Sequence, residues 1–201
     1  MHRRKKGGKF KMDLMPTIDK YIMTSIKVNE LEDLIVDTER QIVKTTVKRG
    51  IAYSNGQVKT MDSLDKNLSS YKKTREEAYK ELNDAARVQD QTRRTYINAS
   101  SDMSDDEVRS LIQALQEKFL TNEKRKEELV RRRNWSVIKS TEAKISGDEA
   151  EANRYVQISV SCFVEAKRID DMQSHYIEVI NNLNQVLNSS KKLELTSPRN
   201  N

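Results

Sequence analysis

Two histidines, His2 and His175, and one cysteine, Cys162, are the side chains of this 201-residue chain best suited to ligate a transition metal or to work as a nucleophile with its base. A structural zinc site wants four such ligands at close spacing, and a thiol or hydroxyl nucleophile wants a base beside it. Neither pattern is present. His2 sits in a basic N-terminal run, His175 stands alone far down the chain, and Cys162 adjoins Phe163. His175 therefore reads as an exposed or satisfied helical residue and Cys162 as a small buried hydrophobe. Gly7 and Gly8 precede no strand-to-helix unit, so no phosphate-cradling loop is expected. The chain reads as a non-enzyme with no catalytic residues, no metal and no cofactor. A single cysteine also precludes an intramolecular disulfide and fits a reducing compartment.

The remaining chemistry is charge. Lys and Arg number 37 against 31 Asp and Glu, a net +6. Arg3, Arg4, Lys5, Lys6, Lys9 and Lys11 stand in residues 1–12 without an acid, so the arm carries the whole excess and the body is neutral. With two adjacent glycines the arm is expected to be disordered. It serves solubility or a trafficking address, or it adheres to an anionic surface, each cation contributing on the order of 1 kcal/mol near a charged membrane. A second cluster, Lys124, Arg125, Lys126, Arg131, Arg132 and Arg133, is followed by Trp135. The plain reading is a solvated helix face with Trp135 in the core. The functional one is a salt-sensitive phosphate-binding surface.

Long helices must carry these groups. Five Gly, two Pro, 5% aromatic and 34% charged residues suit surface-rich helices and leave too few turn residues for a sheet. Residues 148–190 contain no Gly or Pro, and Ala152, Val156, Val160, Phe163, Ala166, Ile169, Tyr176, Ile180, Leu183 and Leu187 return at helical spacing with Gln173 as the polar member. Tyr155, Ile158, Cys162 and Val164 widen that face until it wants more than one neighbour. From Met61 a seven-residue repeat runs through Leu64, Leu68, Tyr71, Arg75, Ala78, Leu82, Ala85, Gln89, Thr92 and Tyr96, a coiled-coil seam with polar members. Ser104 with Glu107 forms a capping box, and Gly147 is a helix stop followed at once by Asp148 and Glu151. Gly50 and Ser54-Asn55-Gly56 mark a turn. Segments near 16–49, 60–97, 104–145 and 148–190 follow. The expected fold is all-α: an elongated, coiled-coil-like antiparallel bundle of three to four long helices over 13–190, with a flexible tail over 191–201.

No apolar run approaches the length needed to span a bilayer, and the basic N-terminus lacks an apolar core after it, so neither a membrane span nor a secretory signal is expected. Two stretches carry a family likeness: Leu31-Glu-Asp-Leu-Ile-Val-Asp-Thr-Glu-Arg-Gln-Ile running to Lys48-Arg49, and Phe163-Val-Glu-Ala-Lys-Arg-Ile-Asp-Asp-Met-Gln-Ser-His-Tyr. They resemble a BAR domain of the sorting-nexin type. The resemblance implies three long kinked helices, a homodimer, and a basic face that meets curved membrane in trafficking, in the cytoplasm or peripherally on endosomal and other membranes. It departs from that type in lacking a preceding phosphoinositide-binding domain. The membrane-facing candidates are then Arg3 to Lys11 and Lys124 to Arg133. The rival reading is a coiled-coil adaptor or assembly subunit that docks a helical protein partner. For either, Tyr155, Ile158, Cys162, Phe163, Ile169, Tyr176 and Ile180 are the candidate interface. Nucleic acid is the third and weakest partner for the arm.

Overall fold

The structure, a computed structural model, describes residues 11–196, and every regular element among them is an α-helix: α1 (Lys11–Ser54), α2 (Val58–Ser101), α3 (Asp105–Ser146) and α4 (Glu149–Thr196). The protein is all-α, with four helices among the described residues. Ser104 caps α3 as its sequence implies: its Oγ accepts from the Glu107 N–H, and Glu107 Oε2 accepts from the Ser104 N–H at 3.1 Å. Gly147, at φ 82°, ends α3, with the Asp148 N–H reaching the Ala143 carbonyl at 2.9 Å. Asp148 Oδ1 then accepts the Glu151 N–H and starts α4.

Several boundaries differ from expectation, among them the end of α2, which runs to Ser101 past the expected 97. α1 runs through Gly50 to Ser54, and the break falls at Gly56, which takes φ 65°. A glycine inside a helix costs only about 1 kcal/mol against alanine, which a 44-residue helix absorbs. α1 also begins at Lys11, so Pro16 lies inside it, and Lys11 and Met12 of the expected arm are helical. At the other end α4 continues through the Lys191-Lys192 stretch to Thr196, because the first breaker beyond Gly147 is Pro198. The arm up to residue 10 and the tail from 197 lie outside the described residues.

The chain divides into two compact units, Met23–Arg93 and the remainder. In Met23–Arg93, α1 and α2 are antiparallel: Ser25 accepts from Gln89 at 2.9 Å, Lys27 pairs with Glu81 at 3.1 Å, and Arg49 grips Asp65 through two nitrogens at 2.5 and 3.1 Å. Val28, Leu31 and Ile35 pack on Ala78 and Ala85, with Leu82 alongside. The repeat on α2 is the buried seam. Each of its members from Met61 to Thr92 is buried or half-buried, whereas Asp84, Arg87, Asp90 and Arg93 are exposed. Gln89 is tolerated there because the buried Ser25 hydroxyl accepts its amide hydrogen.

The other unit has the thicker core. Ile18 and Ile22 of α1, Tyr96 of α2, Val108 and Leu115 of α3, and Val179 and Leu183 of α4 are almost wholly buried. Each such side chain contributes about 1.5–3 kcal/mol of apolar burial. The Tyr21 and Tyr96 rings meet at 5.3 Å, and both hydroxyls are satisfied: Tyr21 donates to Glu178 Oε1 and Tyr96 accepts from Asn182, each at 2.8 Å. Lys118 closes the edge on Asp19. Further along, α3 and α4 remain paired as an antiparallel hairpin.

Candidate docking faces of α3 and α4

The seam of that hairpin is built from small residues. Ser136, Ser140 and Ala143 are buried on α3, and Ala152, Cys162 and Ala166 on α4. Small side chains let two helices close up, and a close seam has no room for large ones. The bulky apolar residues of the same stretch therefore stay outside. Val156, Val160, Phe163 and Val164 are exposed at spacing i, i+4, i+7, i+8, which places them on one helix face. Phe163 is 51% exposed and Val160 55%. Arg133 of α3 lies over the Phe163 ring at 4.9 Å. Val130 and Val137, at i−3 and i+4 from Arg133 and likewise exposed, extend the surface onto α3.

Sequence periodicity had assigned Val156, Val160 and Phe163 to the packed stripe. The packed stripe is instead Ala152, Cys162, Ala166, Ile169, Gln173, Tyr176, Leu183 and Leu187. Of the seven candidate interface residues, Cys162, Ile169 and Tyr176 are therefore occupied by the chain's own core. Tyr155, Ile158 and Ile180 are half-buried, and Phe163 alone is exposed. The signal that could have separated the two faces is residue size. Ser136, Ser140 and Ala143 repeat at four and three, opposite the small members of α4.

The basic cluster is split by its neighbours. Arg125 pairs with Glu165, and Lys126 reaches Asp170 at 2.6 Å. The hydrogen bond to Asp170 holds the Lys126 ammonium above its ordinary pKa range against its partial desolvation. With Arg133 over Phe163, three of the six cations serve contacts to α4. Lys124, Arg131 and Arg132 remain exposed and have no acidic partner among the described residues. Lys124, Arg131, Trp135 and Ile138 fall at i, i+7, i+11 and i+14, a second exposed line on α3. Trp135 is 49% exposed and meets Tyr155 edge-on at 5.4 Å, so it is not a core residue. Arg3, Arg4, Lys5, Lys6 and Lys9 lie outside the described residues, and of Lys11 only the main chain is described.

Among the described residues no three His, Cys, Asp or Glu side chains gather to hold a metal ion. The recess of ≈ 380 Å³ beside Ile97, Met103, Val108 and Val186 is lined by one ionisable group among the described residues, Asp105. His175 is half-buried, with Nδ1 3.4 Å from Glu178 and its ring edge-on to Tyr21. No described helix is long and apolar enough to cross a membrane. Comparison with protein-family models, curated proteins and solved structures finds no match for this chain. The fold and the site define a class: an all-α bundle with exposed apolar and basic helix faces.

Proposed function

We propose that this protein is a non-enzymatic helical docking module, an adaptor or assembly subunit that binds a helical protein partner through the exposed face of the α3–α4 hairpin. The observation that carries this reading is the outward stripe Val156, Val160, Phe163 and Val164, continued by Val130 and Val137. Six large apolar side chains on one surface, with charged residues around them, is the composition of a binding patch. A photo-reactive amino acid placed at Val160 should cross-link to a helical protein chain in high yield, and one at the exposed Arg154, on another face of α4, should not. Equal, low yields at both positions would remove the basis of the reading.

A second reading has its own observation. Lys124, Arg131, Trp135 and Ile138 form an exposed basic and aromatic line of the kind that settles at a membrane surface, and Arg3, Arg4, Lys5, Lys6, Lys9 and Lys11 add six cations. On this reading the chain is a dimeric membrane-associating module in membrane shaping or trafficking, as the BAR-domain resemblance implies. That type has three helices where the described residues of this chain form four. Sedimentation with anionic liposomes at rising salt distinguishes the two. Salt-sensitive pelleting that is lost when the arm and Lys124, Arg131 and Arg132 are neutralised supports the membrane reading. Absence of pelleting leaves the protein-docking reading in place.

A further inference from the structure

We infer that the occupant of the α3–α4 face is a second copy of this chain, docked with the two α4 helices antiparallel about a two-fold axis near residue 158. The inference deepens the docking reading above and rests on it. Along α4 the residues Glu149, Asn153, Val156, Val160, Phe163 and Lys167 are spaced four, three, four, three, four, and all six are exposed. That alternation is the seam period of paired helices, here displayed on an exposed flank of α4 beside its seam with α3. The pattern is self-complementary only in reverse. Laid antiparallel, Val156 of one copy faces Val160 of the other, Asn153 faces Phe163, and Glu149 at one end faces Lys167 at the other. A parallel pairing would set Glu149 against Glu149 and Lys167 against Lys167, which repel. An isologous two-fold contact requires this match of a surface with itself.

Size agrees with a reversible dimer. The stripe is about 27 Å long at ~1.5 Å per residue, and two helices at roughly 10 Å each make the face about 20 Å wide. That amounts to on the order of 500 Å² per copy and about 1,000 Å² in total, at the lower bound for a specific interface. Val130, Arg133 and Val137 supply the α3 half of that width. A micromolar monomer–dimer equilibrium is the expected behaviour.

The test is sedimentation equilibrium of the full chain from about 1 to 100 µM. Wild type should dimerise within this range. Val160→Asp should weaken the dimer more than about thirtyfold, because each copy then buries a carboxylate against the apolar Val156 of the other, once on either side of the axis, while far-UV circular dichroism stays unchanged, since Val160 is already exposed. Glu149→Lys and Lys167→Glu should each weaken it roughly two- to tenfold, and the double charge reversal should restore it. A wild-type monomer throughout the range overturns self-pairing, and cross-linking of residue 160 to a different protein would then uphold docking without it. A dimer indifferent to Val160→Asp places the contact on another face and overturns the inference. Failure of the double reversal to rescue overturns the antiparallel register.

Discussion

At the level of single residues, this protein spends its polar groups on closing its core. Tyr176 shows the consequence for pH. It is buried on α4 near Asp19, and burial first, then the Asp19 charge, raises the pKa of its phenol, while a hydrogen bond from Asn122 works the other way. The folded chain thus holds the phenolic proton more tightly than the unfolded chain, where it leaves near pH 10. The stability tied to this group is fully present below that pH and is lost as pH rises toward the folded value. Tyr176→Phe has no such proton to lose. The gap in urea midpoint between wild type and Tyr176→Phe should therefore be constant from pH 8 to about 9.5 and should move against wild type above pH 10. A gap unchanged through pH 11 would show that the folded phenol titrates as it does in water.

At the level of helices, chemically similar residues take opposite roles according to where they fall. Gly50 lies inside α1 and Gly147 closes α3 at φ 82°, and a Cβ added at either would meet nothing within 4 Å. Backbone conformation alone therefore decides the outcome. Gly50→Ala should stabilise by about 0.5–1 kcal/mol, the helix penalty of glycine removed. Gly147→Ala should destabilise by about 1–2 kcal/mol, because an L-residue with a side chain is strained in the left-handed region. Urea denaturation of the two variants should give midpoints on opposite sides of wild type, and a shift in the same direction would refute the argument. Local signals of this kind were legible in the sequence. The Ser104–Glu107 box, the Gly147 stop and the α2 repeat act through neighbours three to seven residues apart, so no tertiary knowledge is needed to read them. Gly50 was misread because a lone glycine resembles a stop when its helix is not seen to continue through Ile51 and Ala52. The outward stripe on α4 was illegible for a different reason. Val156, Cys162 and Phe163 all count as apolar, and which of them turns inward depends on the small residues that α3 presents across the seam.

At the level of the whole chain, the two units differ in how their seams are filled, and local stability should follow. The unit Met23–Arg93 buries Ile26 almost completely but otherwise holds its two helices with Val28, Leu31, Ile35, Leu82, Ala78 and Ala85, two of them alanines, and with the half-buried Met61, Leu64, Leu68, Tyr71 and Arg75. Two ion pairs between its helices, Lys27 with Glu81 and Arg49 with Asp65, are between about 40% and 60% exposed, where such pairs contribute little. The other unit buries Tyr96, Ile18, Ile22, Leu115, Leu183, Val108 and Val179 almost completely. Opening a helix costs what its buried side chains lose, so the free energy of local opening should be lowest where burial is least. Hydrogen exchange followed by mass spectrometry should find the amides of 58–75 on α2 exchanging first, and those of 108–118 on α3 and 176–187 on α4 last. Leu115→Ala, expected to cost about 2–5 kcal/mol, should bring the slow amides forward while leaving 58–75 nearly unchanged. Uniform exchange along all four helices, or equal acceleration of 58–75 by Leu115→Ala, would mean that the chain opens as one cooperative body despite the contrast in its cores.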